Sequence, residues 1–248
     1  MIRRIRSWFL STLNEAEAAS RHSIGSAESG RALFKTAVVC LTAALCLTMT
    51  HYLGKSPWRG FLPSLPAQFS QITWWAITVI VFYLIVPALV VKVVLRERLR
   101  DHGIRLQFPA NELPIYGVLL AVVLVMVVGF SATDAFQAKY PFYSPRLGEP
   151  LWPLFWTWEA LYVLQFAAVE FFFRGFLLHG TKDRLGFSAV FVSMVPYCLV
   201  HFGKPLPETL GAIIAGIVLG IFSLKSRSIA PGILLHCGVA LGMDLAVL

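Results

Sequence analysis

Apolar stretches long enough to cross a lipid bilayer decide what this chain can fold into. The first runs from about Ala37 to Leu53, the second from about Ile72 to Val91 and the third from about Leu113 to Phe130. A fourth follows a Trp-rich approach at Trp152, Trp156 and Trp158, and a fifth starts near Phe187. A sixth covers about Thr209 to Leu224, and Pro231 opens a seventh. In hydrocarbon the backbone must satisfy its own hydrogen bonds, so such stretches become helices. With 57% hydrophobic and 14% charged residues, the chain has too few charges to cover a soluble globule of 248 residues. The expected fold is an all-α, polytopic membrane helix bundle of about seven transmembrane helices. It divides into a cytosolic N-terminal segment 1–36, a three-helix membrane part 37–150 and a C-terminal membrane region 151–248.

In this setting the net charge of +8 reads as positive-inside loops and contact with anionic lipid. No nucleic-acid partner is expected. The basic stretches Arg3-Arg4-Ile5-Arg6 and Arg96-Glu97-Arg98-Leu99-Arg100 lack the interleaved aromatics of a base-stacking surface. Ile2 to Leu13 suits a short amphipathic helix lying on the membrane surface. No cleaved signal peptide is expected, because the charged N-terminus meets no apolar core before about residue 37. Placing the N-terminus inside puts five cations outside: Lys55, Arg59, Lys139, Arg146 and Lys204. With Arg174 set aside as intramembrane, 15 of the 21 Lys and Arg then fall on the cytosolic side. The chain is expected as a multi-pass protein of the bacterial inner membrane. The loop from Ser131 to Pro150, with its tyrosines and prolines, reads as an ordered cap.

Glu170 and Arg174 interrupt the fourth stretch, within Ala168-Val169-Glu170-Phe171-Phe172-Phe173-Arg174-Gly175. Four residues apart on a helix, they share one face and can pair. Either charge alone would cost about 2.5 to 3.5 kcal/mol at the membrane centre, so the pair marks a candidate functional site. If the helix continues to His179 and turns at Gly180-Thr181-Lys182-Asp183-Arg184, Glu170 lies about 18 Å into the membrane. His201 then lies about 21 Å along the next span and His236 about 12 to 14 Å along the last. Two histidines and a carboxylate at one depth could activate a water and stabilise an oxyanion, as peptide-bond hydrolysis requires.

Each residue also has a plainer reading. The pair could pin helix packing, His201 could cap a helix at the interface, and His236 could be a packed histidine of an apolar helix. Glu159, about 16 Å from Glu170 on nearly the same face, reads as a mouth or lid residue. Glu208 and Asp244 are further polar groups near helix ends. Cys40, Cys46, Cys198 and Cys237 lie in apolar segments and read as disulfide or packing thiols, with Cys198 close enough in sequence to face the His201 site. No CxxC or HExxH spacing points to a metal, and no cofactor is expected. Gly216 and Gly220 form a GxxxG spacing that admits a neighbouring helix.

Taken together, these motifs make the chain resemble the CAAX protease and bacteriocin-processing (CPBP, or Abi) family of intramembrane endopeptidases. The matching segments are Val169-Glu170-Phe171-Phe172-Phe173-Arg174, Tyr197-Cys198-Leu199-Val200-His201 and His236-Cys237-Gly238-Val239-Ala240. Arg174-Gly175 and Pro231-Gly232 add to the match, which covers about residues 151–248. The resemblance implies a hydrolase acting on peptide or protein substrates at the membrane, with catalytic residues drawn from Glu170, Arg174, His201 and His236. Its substrates would be lipid-modified CAAX-like tails, sorting tags or leader peptides. The chain departs from the family at Val169, where a first glutamate is usual, and at Ala240, where a polar residue is usual. Using Glu170 as the base is therefore a hypothesis of this reading. Three alternatives stay open: a noncatalytic membrane scaffold, an immunity-type binding protein, and a metal-dependent hydrolase using Glu170, His201 and His236.

Overall fold

In a computed structural model of the chain, which describes residues 7, 8, 10–15, 26–105 and 113–248, the apolar stretches are helices. Seven matter here: α1 (Ser26–Leu53), α2 (Ala67–Val94, with π-helical turns at Val81–Ile85 and Val90–Val94), α3 (Leu113–Ser131), α4 (Leu154–Glu170), α5 (Ala189–Leu199), α6 (Leu206–Ser226) and α7 (Ala230–Leu245). After Glu170, α4 continues through a π-helix, Phe171–Leu178, and a further α-helical piece, His179–Leu185. A turn at Gly186 then redirects the chain. Its φ of 57° and ψ of −138° are costly for a residue with a Cβ.

Among the described residues, five helical stretches have the length and composition to cross a membrane: 30–53, 67–94, 113–131, 154–199 and 206–226. Helices therefore form where all seven spans were expected, but not all reach crossing length. At 11 and 16 residues, α5 and α7 measure only about 16 and 24 Å against a hydrocarbon core of about 30 Å. Val118, Val122, Val125 and Val128 are exposed along α3, as a lipid-facing helix requires.

The chain divides into two compact units, the first made of Met1–Ala44, Pro87–Pro109 and Glu170–Gly232. Its core holds Leu178, Ala189, Val190, Ile221 and Leu224, with Leu13, Leu185, Phe187 and Ile217 packed against them. The expected amphipathic helix lies partly outside the described residues, but residues 10–15 are helical. They lie on protein, because the apolar face finds a partner there. Leu13 joins the core, Trp8 packs on Phe222 with ring centroids 5.8 Å apart, and Lys225 Nζ lies 3.3 Å from Glu15.

Helices α5 and α6 approach closely because Gly216 has no side chain, as the GxxxG spacing leads one to expect. A Cβ there would lie 2.7 Å from Met194 Cγ and 3.3 Å from Tyr197 Cδ1. Gly216→Leu should therefore destabilise the protein by about 1 to 3 kcal/mol through overpacking. Gly211→Ala, which meets nothing within 4 Å, is the neutral comparison. Thermal unfolding in detergent of the two variants checks this.

A polar network ties the same unit together away from its core. Lys35 Nζ lies 3.0 Å from both Glu97 Oε2 and Asp183 Oδ2, and Glu97 Oε2 is 2.8 Å from His102 Nε2. Burial pushes the Glu97 carboxyl up, but the His102 hydrogen bond and the Lys35 charge outweigh it and hold the group at about 2. An unfolded glutamate titrates near 4.3, so Glu97 adds stability that is full above about pH 5 and is lost as the pH falls towards 2. In Glu97→Gln the unfolding midpoint should fall less steeply over this acid range than in the wild type.

The second unit comprises Leu45–Val86, Ala110–Val169 and Ile233–Leu248. An aromatic ladder runs through it: Trp75 stacks on Phe142 at 5.5 Å, Trp158 on Tyr162 at 5.0 Å, and Tyr162 meets Phe166 at 4.5 Å. The loop after α3 is ordered. Tyr140 packs with Val127 and Phe136, and the Tyr143 hydroxyl donates to Glu149 at 2.7 Å. Glu159 and Asp244 are both buried, and Asp244 Oδ1 accepts from the Phe142 amide at 3.3 Å. Glu159 is thus a buried group, where a mouth or lid residue would be exposed.

Candidate active site

The site in the first unit begins where α4 gives way to the π-helix. Glu170 is the last residue before the wider turn, and its side chain is 0% exposed. Its Oε1 accepts from Arg174 Nη1 at 2.9 Å, so the pair expected from the spacing forms. Arg174, 1% exposed, is held on two further sides. Its Nη2 donates to the Ala215 carbonyl at 3.3 Å, and its guanidinium lies 3.9 Å from the centroid of the Tyr197 ring. The guanidinium suits this place because it offers a planar fork to the carboxylate and a face to the ring at once.

Tyr197 also leads to His201. The histidine ring packs edge-on against the tyrosine at 4.7 Å, and His201 Nδ1 lies 2.7 Å from the Tyr197 carbonyl. A carbonyl only accepts, so Nδ1 carries the proton, and in the neutral ring Nε2 holds the lone pair. The helix-capping reading of His201 therefore holds for one ring nitrogen, Nδ1. Thr209 Oγ1 donates to the His201 carbonyl at 2.9 Å, fixing the turn that presents the ring. Tyr197 rests edge-on against Phe173, and Ser193 Oγ donates to the Phe173 carbonyl at 2.7 Å.

The first unit thus brings together three of the four expected site residues: Glu170, Arg174 and His201. His236 belongs to the second unit, on α7, where its ring packs on Phe166 at 4.2 Å. Val169 and Ala240 are buried there and supply no polar group. The four cysteines are free thiols, which decides between the packing and disulfide readings. Cys198 Sγ points to the Thr209 carbonyl at 3.9 Å and Cys237 Sγ to that of Val163 at 3.6 Å. Glu208 pairs with Lys204 at 2.6 Å. Among the described residues, no three His, Cys, Asp or Glu side chains cluster as metal ligands.

Two contributions escape sequence reasoning. Tyr197 was legible as the aromatic of the second motif, but not as the surface on which the arginine rests. The Ala215 carbonyl leaves no trace in residue identity at all.

Residues 150–242 match the model of a family described as type II CAAX prenyl endopeptidase Rce1-like. No curated protein and no solved structure matches the chain.

Proposed function

Because residues 150–242 match the Rce1-like family of CAAX-type membrane endopeptidases, we propose that this multi-pass membrane protein hydrolyses a peptide bond at or within the membrane. The observation that carries the reading is the buried Glu170–Arg174 pair, linked through Tyr197 to a histidine whose Nε2 is its basic nitrogen. A buried ion pair is not retained for stability alone, since well-packed apolar side chains would often serve as well.

In the proposed mechanism Glu170 and His201 activate a water. The water oxygen adds to the scissile carbonyl carbon while Glu170 takes its proton, with His201 Nε2 accepting a hydrogen bond from the same water, and that proton reaches the leaving nitrogen as the C–N bond breaks. Arg174 orients the carboxylate. His236 is assigned to the developing oxyanion, a role that rests on the family's last motif. The substrates would be C-terminal segments of CAAX type, sorting tags or leader peptides, and anionic lipid would surround the protein.

The test is incubation of the purified protein, in phosphatidylethanolamine–phosphatidylglycerol vesicles, with farnesylated C-terminal peptides, their unmodified forms and leader peptides. Mass spectrometry should find cleavage near the C-terminus or leader junction of at least one class. A folded protein that cleaves none of them would overturn the reading. That outcome would favour a noncatalytic scaffold or immunity-type binding protein, which the apolar Val169 and Ala240 at otherwise polar motif positions support.

A further inference from the structure

We propose that Gly232 is a positioning residue for Glu170, its missing side chain being the space into which the carboxylate is set. The inference rests on the reading of Glu170 as the water-handling carboxylate. Gly232 is the third residue of α7, directly after Pro231, and is buried. A Cβ built on it would fall onto Glu170 Oε2, with the carboxyl carbon at 3.2 Å and Cγ at 3.8 Å. Glycine within a helix costs about 0.5 to 1 kcal/mol relative to alanine, so an alanine here would be the better helix former. The carboxylate is what excludes it.

The carboxylate cannot turn aside and keep its present alignment with Arg174. Its other oxygen is held by Arg174, and Arg174 is held by the Ala215 carbonyl and the Tyr197 ring. A methyl group at 232 therefore pushes one oxygen of a carboxylate whose other oxygen is fixed. The atom in its path is the far end of a side chain and not backbone, so α7 can keep its course while the carboxylate turns. Gly232→Ala thus perturbs the placement of one functional group with little change elsewhere. Misplacement of about 1 Å at a reacting group can lower a rate by about 10²-fold.

The experiment compares wild type, Gly232→Ala and the neutral Gly211→Ala in the vesicles described above, using the peptide that the wild type cleaves best. Gly232→Ala should lower kcat by about 10- to 100-fold with KM within about twofold, because orientation is lost and the peptide's binding is not. Gly211→Ala should match the wild type. Independently of activity, thermal unfolding is measured for Gly232→Ala in the wild-type and in the Glu170→Asp background, where the shorter side chain draws the carboxylate back. The midpoint should fall by about 3 to 6 °C in the first and by less than half of that in the second. An equal fall in both backgrounds, or an unchanged kcat, would overturn the assignment. If the wild type cleaves no peptide, the proposed function fails, and the two-background comparison still decides whether Gly232 sets the position of Glu170.

Discussion

Arg174→Ala destabilises the protein by about 3 to 5 kcal/mol, the largest effect expected of any single substitution in the site. The size follows from what is left behind. Glu170 is 0% exposed, so an unpartnered carboxylate there has no water to turn to. Arg174→Lys should recover only part of the loss. A lysine can meet the carboxylate, but its point charge cannot also span the Ala215 carbonyl and lie flat on the Tyr197 ring. Replacing both charges, as Glu170→Gln with Arg174→Met, should return stability to within about 1 to 2 kcal/mol of the wild type while leaving no cleavage. Chemical unfolding in detergent micelles, read beside peptide cleavage, separates the two effects. A fully stable Arg174→Ala would mean that the pair is not buried as described.

His201→Ala should have the opposite profile: kcat lower by about 10² to 10⁴-fold and an unfolding midpoint close to the wild type. Folding loses one hydrogen bond to a carbonyl and some ring packing, a net contribution of about 0.5 to 1.5 kcal/mol for the bond. Catalysis loses the group that, together with Glu170, activates the water. His201→Asn makes the distinction sharper. Its side-chain amide can still donate to the Tyr197 carbonyl and so preserves the cap, but it has no basic nitrogen. An asparagine variant as active as the wild type would show that His201 serves only to end α5.

The sequence discloses the parts of this site better than their assembly. Glu170 and Arg174 were readable as a pair because helical spacing and the cost of charge in hydrocarbon are local facts. Gly216 was readable as a contact because a GxxxG spacing has one main use, and α1, α2, α3 and α6 were readable from apolar length alone. The shortness of α5 was not readable, since the turn that precedes it depends on the backbone that Gly186 adopts and the apolar run gives no sign of it. Nor was the π-helix from Phe171 to Leu178, because π turns have no composition of their own. The docking of Trp8 and Leu13 against the core, the Ala215 carbonyl beneath Arg174 and the place of Gly232 against Glu170 all join residues far apart in the chain. Neither periodicity nor motif spacing reaches that far. Glu159 escapes for a related reason: its depth along α4 can be counted, but its burial cannot.

The central claim is that Glu170 handles the attacking water, and Glu170→Gln tests it most directly, since the amide keeps the shape of the carboxylate and loses its basicity. The measurement is kcat on the best-cleaved peptide for wild type and Glu170→Gln in the same vesicles, with unfolding midpoints recorded on the same samples. The account predicts a fall of about 10² to 10⁴-fold in a variant that remains folded. Full cleavage by folded Glu170→Gln would contradict it and return Glu170 to the role of a structural partner for Arg174.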